Sequence, residues 1–483
     1  MVTLRLLFLP ALVLLAGSAV AQSPDYAITH VTVINPAGGT STPDRTVVIH
    51  NATILSVGPS RHRTPMPTDI DGTGKFLIPG LWDMHMHFRD APRDLKMDIA
   101  NGVLGIRNMG GPASLVFPLR DAIAGGRQIG PRIVACGPIV DGPGSWVNPD
   151  FLISVKNPDE ARAAVDLLKK QGTDCIKVYD ALSREAYYAI LDEAKHLGIP
   201  VVGHLPRAIS VREASTAGQR SLEHQIALPG GSTAEPEYIE RLLDQSAFQE
   251  ALKTGKFALI PAKIASDDTF MLDHFSQEKA DGTYRFLAKN DTYITPTLVT
   301  ERALTFIDDL DKQDDTRKQY VSAEELKWWK PENGMLTKYR TPAYIAMRKR
   351  EYTTMMGEVR RANTLGVKLL AGTDITIPYT YPGFSLHDEL GLFVTAGLTP
   401  MQALQTATTN PALFLGLSDT WGQIKPGFHA NLVLLNANPL ADIANTESIQ
   451  AVVLNGTLFN RAQLDQMLLD ARAPAPSPSA AKP

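Results

Sequence analysis

The chain has 483 residues, with 47 lysines and arginines against 51 aspartates and glutamates and a hydrophobic fraction of 44%. That balance excludes a chain that is disordered along most of its length, and it excludes a polybasic nucleic-acid binder, because no basic excess exists to neutralise phosphates. Cys136 and Cys175 cannot make a disulfide scaffold; they allow one bridge at most, and their apolar, strand-like surroundings predict buried thiols.

Residues 1–21 read as a signal peptide, with Arg5 as charged flank, an apolar run from Leu6 to Ala16 broken by Pro10, and Ala19-Val20-Ala21 as cleavage site. The run is short for a bilayer span, and no later stretch is apolar enough to anchor the chain. The mature protein is therefore expected to be exported, to the periplasm or beyond, without a membrane anchor. Residues 22–75 contain short strands at 27–34, 46–49 and 53–57, punctuated by Gly, Pro and Asn. Residues 424–462 look alike, with strands at 431–435 and 449–454 and a hairpin signal at Asn455-Gly456. Neither piece has enough apolar surface for its own core, so both are expected to pair into one small composite β-sandwich domain.

Between them, at 76–423, strand-like runs at 77–82, 102–109, 132–137, 174–179, 200–204, 221–224, 257–261 or 293–298, and 369–374 alternate with helical stretches such as 158–171 and 184–197. This alternation predicts an α/β fold, a (β/α)8 TIM-like barrel. The interval exceeds the roughly 250 residues of a plain barrel by about a hundred. The charged, aromatic stretch 300–355, with Trp328-Trp329, is the best candidate insertion: a lid, an oligomer contact or surface helix. Residues 463–483 read as a helix end and a flexible Ala/Pro tail.

The strongest chemical signal is the apolar strand that runs into His85-Met86-His87. Side chains alternate along a strand, so both imidazoles share one face and suit one divalent ion, or form a satisfied histidine pair. Lys177 lies between apolar Ile176 and Val178, which sends its ammonium into the barrel interior with Cys175 and Tyr179, a costly place for a lone charge. Further apolar strands end in His204, in His224 and, after Gly372-Thr373, in Asp374. In such a barrel the C-terminal strand ends form the active face, where these six residues would converge.

The order His-x-His, Lys, His, His, Asp resembles the amidohydrolase superfamily. The flanks "IPGLWDMHMHF", "VVGHLPRAISVREASTAGQRSLEH", "LLAGTD" and "GQIKPGFHANLVLLNANPL" are similar to its imidazolonepropionase-like and Xaa-Pro dipeptidase-like branch. The resemblance implies that His85 and His87 hold a buried metal, that His204 and His224 hold a second, and that an N-carboxylated Lys177 bridges the two. Asp374 would join the first metal and act as the catalytic proton acceptor. It implies two divalent ions, zinc by default for such ligands, and hydrolysis of C–N amide bonds in dipeptides, N-acyl amino acids or ochratoxin-like amides by metal-activated hydroxide. Lactone, cyclic-amide or phosphotriester hydrolysis on the same metals, or a non-catalytic envelope binding protein, are the alternatives. The expected partners are a small-molecule substrate and further copies of the chain in a homo-oligomer.

Four residues are candidates for substrate contact. Tyr179 is placed to hydrogen-bond substrate or to pack in the barrel. Arg207 and His387, on loops after strands, are each either substrate contacts or surface residues. Trp146 offers an apolar wall where many relatives carry a Gly-Gly-His run.

Overall fold

The computed structural model describes residues 26–60, 66, 68–145, 147–224, 228–334 and 337–473. The expected signal peptide and Trp146 lie outside the described residues. In chain order the strands are β1 (Tyr26–Asn35), β2 (Thr40–His50), β3 (Thr53–Pro59), β4 (Ile70–Asp71), β5 (Phe76–Pro79), β6 (Leu81–Met86), β7 (Val103–Asn108), β8 (Arg132–Ala135), β9 (Ile139–Asp141), β10 (Leu152–Ser154), β11 (Ile176–Val178), β12 (Val201–Gly203), β13 (Gln219–Glu223), β14 (Tyr293–Thr295), β15 (Leu432–Leu435), β16 (Ile449–Leu454) and β17 (Thr457–Asn460).

Strands from both ends of the described chain share one sheet, in the order β17-β16-β15-β5-β1-β2-β3, with β4 beside β1. The junction is the antiparallel pairing of β15 with β5, Leu432 opposite Pro79 through Leu435 opposite Phe76. The period of two explains why this sheet is apolar on both faces. Leu432 and Leu434 pack with Ile28, Val47 and Leu77, while Val433 and Leu435 enter the main core with Ile99 and Val103. The β16–β17 hairpin turns at Asn455 and Gly456, whose φ angles of 49° and 77° suit the two left-handed positions of a tight hairpin.

The middle of the chain forms two parallel sheets, β6-β7-β8 and β10-β9-β11-β12-β13-β14. Helices follow most of these strands. Pro158–Gln171 starts on an Asn157 cap and ends at Gly172 in the left-handed region, and Arg184–His196 starts on a Ser183 cap.

Three expectations need correction. The alternative strand at 257–261 is instead the entry to the helix Leu259–Asp273, in whose first turn Pro261 is tolerated; the strand in question is β14. The run 369–374 is not a regular strand. It lies between β14 and β6 through isolated bridges, Leu369 to Ile294 and Ile375 to Met86, and through Met84 N donating to Ala371 O at 2.8 Å. Finally, Cys136 and Cys175 are not thiols but a disulfide. Cys136 follows β8 and Cys175 precedes β11, so adjacent strand ends bring their Cα atoms to 4.5 Å, within bridging range.

Candidate metal centre

The C-terminal ends of β6, β11, β12 and β13 and the segment 369–375 deliver all six expected ligands to one place. Asp374 Oδ1 lies 3.4 Å from His85 Nε2 and 3.5 Å from His87 Nε2. Lys177 Nζ lies 3.4 Å from the same His85 Nε2. The His224 ring lies 4.7 Å from that of His85 and 4.5 Å from that of His204, between centroids. Ligand atoms about 2.0–2.1 Å from a tetrahedral ion stand about 3.3 Å from one another. The two Asp374 contacts, to His85 and to His87, fit that edge, and among the described residues the group whose ligand atoms all lie within 4.8 Å of one another is His85, His224 and Asp374.

The donor chemistry fits as well. Each imidazole has its Nδ1 engaged on the protein side: His85 with Glu223 Oε2, His87 with Gly110 O, His204 with Asp180 Oδ1 and His224 with Thr297 Oγ1, all at 2.9 Å. A carbonyl or carboxylate only accepts, so these bonds fix the tautomer of His85, His87 and His204 with Nε2 as the lone-pair donor, whereas the Thr297 hydroxyl beside His224 can donate or accept. Burial and neighbouring cations hold the imidazoles neutral, with His87 pushed down to about 4 and the other three well below their ordinary value. Burial also lowers Lys177 to about 8.

Backbone geometry supports the cluster. His224 and Asp374 sit at φ 72° and 51°, left-handed conformations that a non-glycine residue adopts at a cost. Asp83 ties the two strand ends together: its Oδ1 accepts from His85 N and Thr373 N, both at 3.1 Å, and its Oδ2 from the Thr373 hydroxyl. Gly372 permits the close approach, since a Cβ there would stand 2.8 Å from His85 Cβ and 2.6 Å from Thr295 Cγ2.

A cleft of about 320 Å³ opens over the cluster, lined by Tyr179, His204, His224, Asp374 and, from the expected insertion, Glu301 and Arg348. Tyr179 lies against His204, with ring centroids 3.9 Å apart. Arg207 lines an adjoining hollow of about 210 Å³, 3.9 Å from the Asp180 carboxylate. His387 is neither a substrate contact nor a surface residue: it is buried, with Nδ1 bonded to Thr446 Oγ1 and Nε2 donating to Asn101 O.

Asp83, Arg107, Asp180, Glu223 and Arg348 escaped the sequence reading. Asp83 carried a usable signal, since it shares the strand parity of His85 and His87. The Arg348 guanidinium bonds the carboxylates of Glu301 and Glu351, so part of the 298–364 region forms a wall of the cleft.

Comparison with known proteins gives the class, a hydrolase acting on carbon–nitrogen amide bonds. The chain belongs to the Amidohydrolase family, whose model matches residues 76–459. It is 24% identical over 437 residues to ochratoxinase of Aspergillus niger, covering 86% of this chain and 80% of that protein. Among solved structures it is similar to bottromycin amidohydrolase, with a TM-score of 0.73 and 24% identity over 92% of this chain and 90% of that one. It is also similar to a Xaa-Pro dipeptidase with bound methionine, with a TM-score of 0.65 and 21% identity over 90% of this chain and 100% of that one. Among the described residues no helix is long and apolar enough to cross a membrane.

Proposed function

We propose that the protein is an exported, binuclear metal-dependent amidohydrolase that cleaves the amide bond of dipeptides or N-acyl amino acids, including ochratoxin-like amides. The observation that carries this reading is the convergence of His85, His87, Lys177, His204, His224 and Asp374 on one place, with Asp374 Oδ1 3.4 and 3.5 Å from the Nε2 atoms of His85 and His87, Lys177 Nζ 3.4 Å from His85 Nε2 and the His204 and His224 rings 4.5 Å apart. His85, His87 and Asp374 would hold one ion, zinc by default, and His204 and His224 the other. N-carboxylation of Lys177 would turn a cation that repels both ions into an anion that bridges them. Divalent ions in such a site supply Lewis acidity and activate water at neutral pH.

The chain's own residues do the rest. Asp374 faces the imidazole pair and takes the proton of the attacking water, then returns it to the leaving amine. Tyr179 and Arg207, on the cleft and the adjoining hollow, orient the carbonyl and the carboxylate of the substrate. The same reading makes β6, β7, β8, β11, β12, β13, β14 and the segment 369–375 the eight staves of a (β/α)8 barrel within 76–423. The bridge from Ile294 to Leu369 and the bonds from Met84 N to Ala371 O and Asp174 N to Ala135 O, at 2.8 and 2.9 Å, support closure. The composite β domain expected from 22–75 and 424–462 corresponds, among the described residues, to the sheet that β5 joins. The buried disulfide supports an oxidising, exported setting, periplasmic or secreted. A homo-oligomer belongs to the same proposal and is checked by light scattering.

The test is a panel of dipeptides, N-acyl amino acids and ochratoxin-type amides beside lactones and phosphotriesters. Amine release that EDTA abolishes and Zn²⁺ restores is the expected result. Turnover of lactones or phosphotriesters without any amide cleavage would overturn the substrate assignment.

A further inference from the structure

We propose that Glu223, clamped by Arg107, is a positioning residue for the metal centre. It holds His85 in the one tautomer and ring plane that present Nε2 to the ion. The inference rests on the metal-site reading above and adds a specific support to it.

The geometry is complete on both sides of the carboxylate. Glu223 Oε2 accepts from His85 Nδ1 at 2.9 Å. Its Oε1 accepts from Arg107 Nη2 at 2.9 Å and from the Ser221 hydroxyl. The guanidinium is fixed in turn: Nε donates to Met84 O at 2.6 Å, Nη1 to Ser221 Oγ at 3.0 Å and Nη2 to Thr295 Oγ1 at 3.2 Å. Exposure of the side chains of His85, Glu223 and Arg107 is 1%, 0% and 0%.

A buried Arg–Glu pair gains little over well-packed apolar side chains, because desolvation offsets the attraction. Stability alone therefore does not account for an ion pair in the interior of β7 and β13. The third partner does. A carboxylate on Nδ1 makes the imidazole a stronger donor through Nε2 and fixes its plane. Arg107 holds Oε1 away from the ligand cluster, so Glu223 supports a ligand without becoming one. The other three imidazoles have a carbonyl, a hydroxyl or the less buried Asp180 in this role. His85, in contact with both Asp374 and Lys177, has the charged and fully enclosed support.

The test is Co²⁺ binding to the metal-free full-length protein, read by competition with a chromophoric chelator and by the visible absorption spectrum. Glu223→Gln presents an amide to Nδ1 in place of a charged acceptor. Its expected Co²⁺ affinity is about 10–100-fold below wild type, with a changed spectrum. Ser221→Ala removes two bonds of the clamp, that to Glu223 Oε1 and that from Arg107 Nη1, but leaves the bond to His85, and should lose far less affinity than Glu223→Gln. If Glu223→Gln does not fold, the double variant Arg107→Met/Glu223→Gln removes the pair together; it should fold and still bind weakly. Wild-type affinity and spectrum in whichever of these two variants folds would overturn the inference, as would an equal loss in Ser221→Ala. A wild-type protein that takes up no Co²⁺ would overturn the metal-site reading itself, and this inference with it.

Discussion

At the residue scale the account makes Asp374 the proton acceptor and Gly372 the residue that lets it reach the histidines. Asp374→Asn keeps shape but removes both basicity and an anionic ligand of the first ion, so kcat should fall by at least about 10²–10⁴-fold while the melting temperature of the metal-free protein stays unchanged; steady-state kinetics and calorimetry of metal-free protein read the two effects separately. Gly372→Ala sets a methyl 2.8 Å from His85 Cβ. It should cost about 1–3 kcal/mol of stability and lower metal content, measured by denaturant unfolding and elemental analysis. Of the six proposed ligands, the four histidines were legible because they follow or close apolar strand-like runs, Lys177 because it stands between Ile176 and Val178, and Asp374 because it ends an apolar run. Glu223 was not, because strict alternation sends Glu223 and His224 to opposite faces. The left-handed backbone at His224, φ 72°, turns the imidazole in beside its neighbour. Arg107 lay hidden in an apolar run because a buried guanidinium needs a partner that is 116 positions away.

At the scale of elements, the loop that carries His204 and Arg207 is pinned by the helix Val211–Ala217. Its capping box joins Ser210 and Glu213, and Arg184 bonds the Glu213 carboxylate from the preceding helix. That bond, with those from Ser210, lowers Glu213 from its ordinary 4.5 to about 2. A carboxylate depressed on folding stabilises above the unfolded value and loses that contribution as pH falls through the folded one. The difference in melting temperature between wild type and Glu213→Gln should therefore be present at pH 6 and shrink between pH 4.5 and about 2. A difference that does not change across that window would contradict the assignment. Strand alternation made β6, β7, β11, β12 and β13 legible in outline. The run 369–374 was misread as a strand because its apolar composition is that of a buried strand, while Gly372 and the turn at Asp374 interrupt the ladder.

For the whole molecule, the pairing of the two flanking pieces was legible because neither could bury its apolar face alone, and the β15–β5 pairing supplies the contact; the described strands form one sheet, where a sandwich was expected. The disulfide was missed because 39 residues separate its halves, and only the side-by-side placement of β8 and β11 brings them together. In the chain-entropy picture a bridge closing such a loop is worth about 4 kcal/mol. Cys136→Ser/Cys175→Ser should melt well below wild type, and a reductant should lower the wild-type melting temperature but not that of the variant. The measurement that bears most directly on the central claim is anomalous diffraction at the zinc edge from crystals of the metal-loaded protein. Two peaks are expected, one bounded by His85, His87 and Asp374 and one by His204 and His224, with density continuing from Lys177 Nζ between them. A structure with no peak among these side chains, or with metal bound elsewhere, would contradict the account.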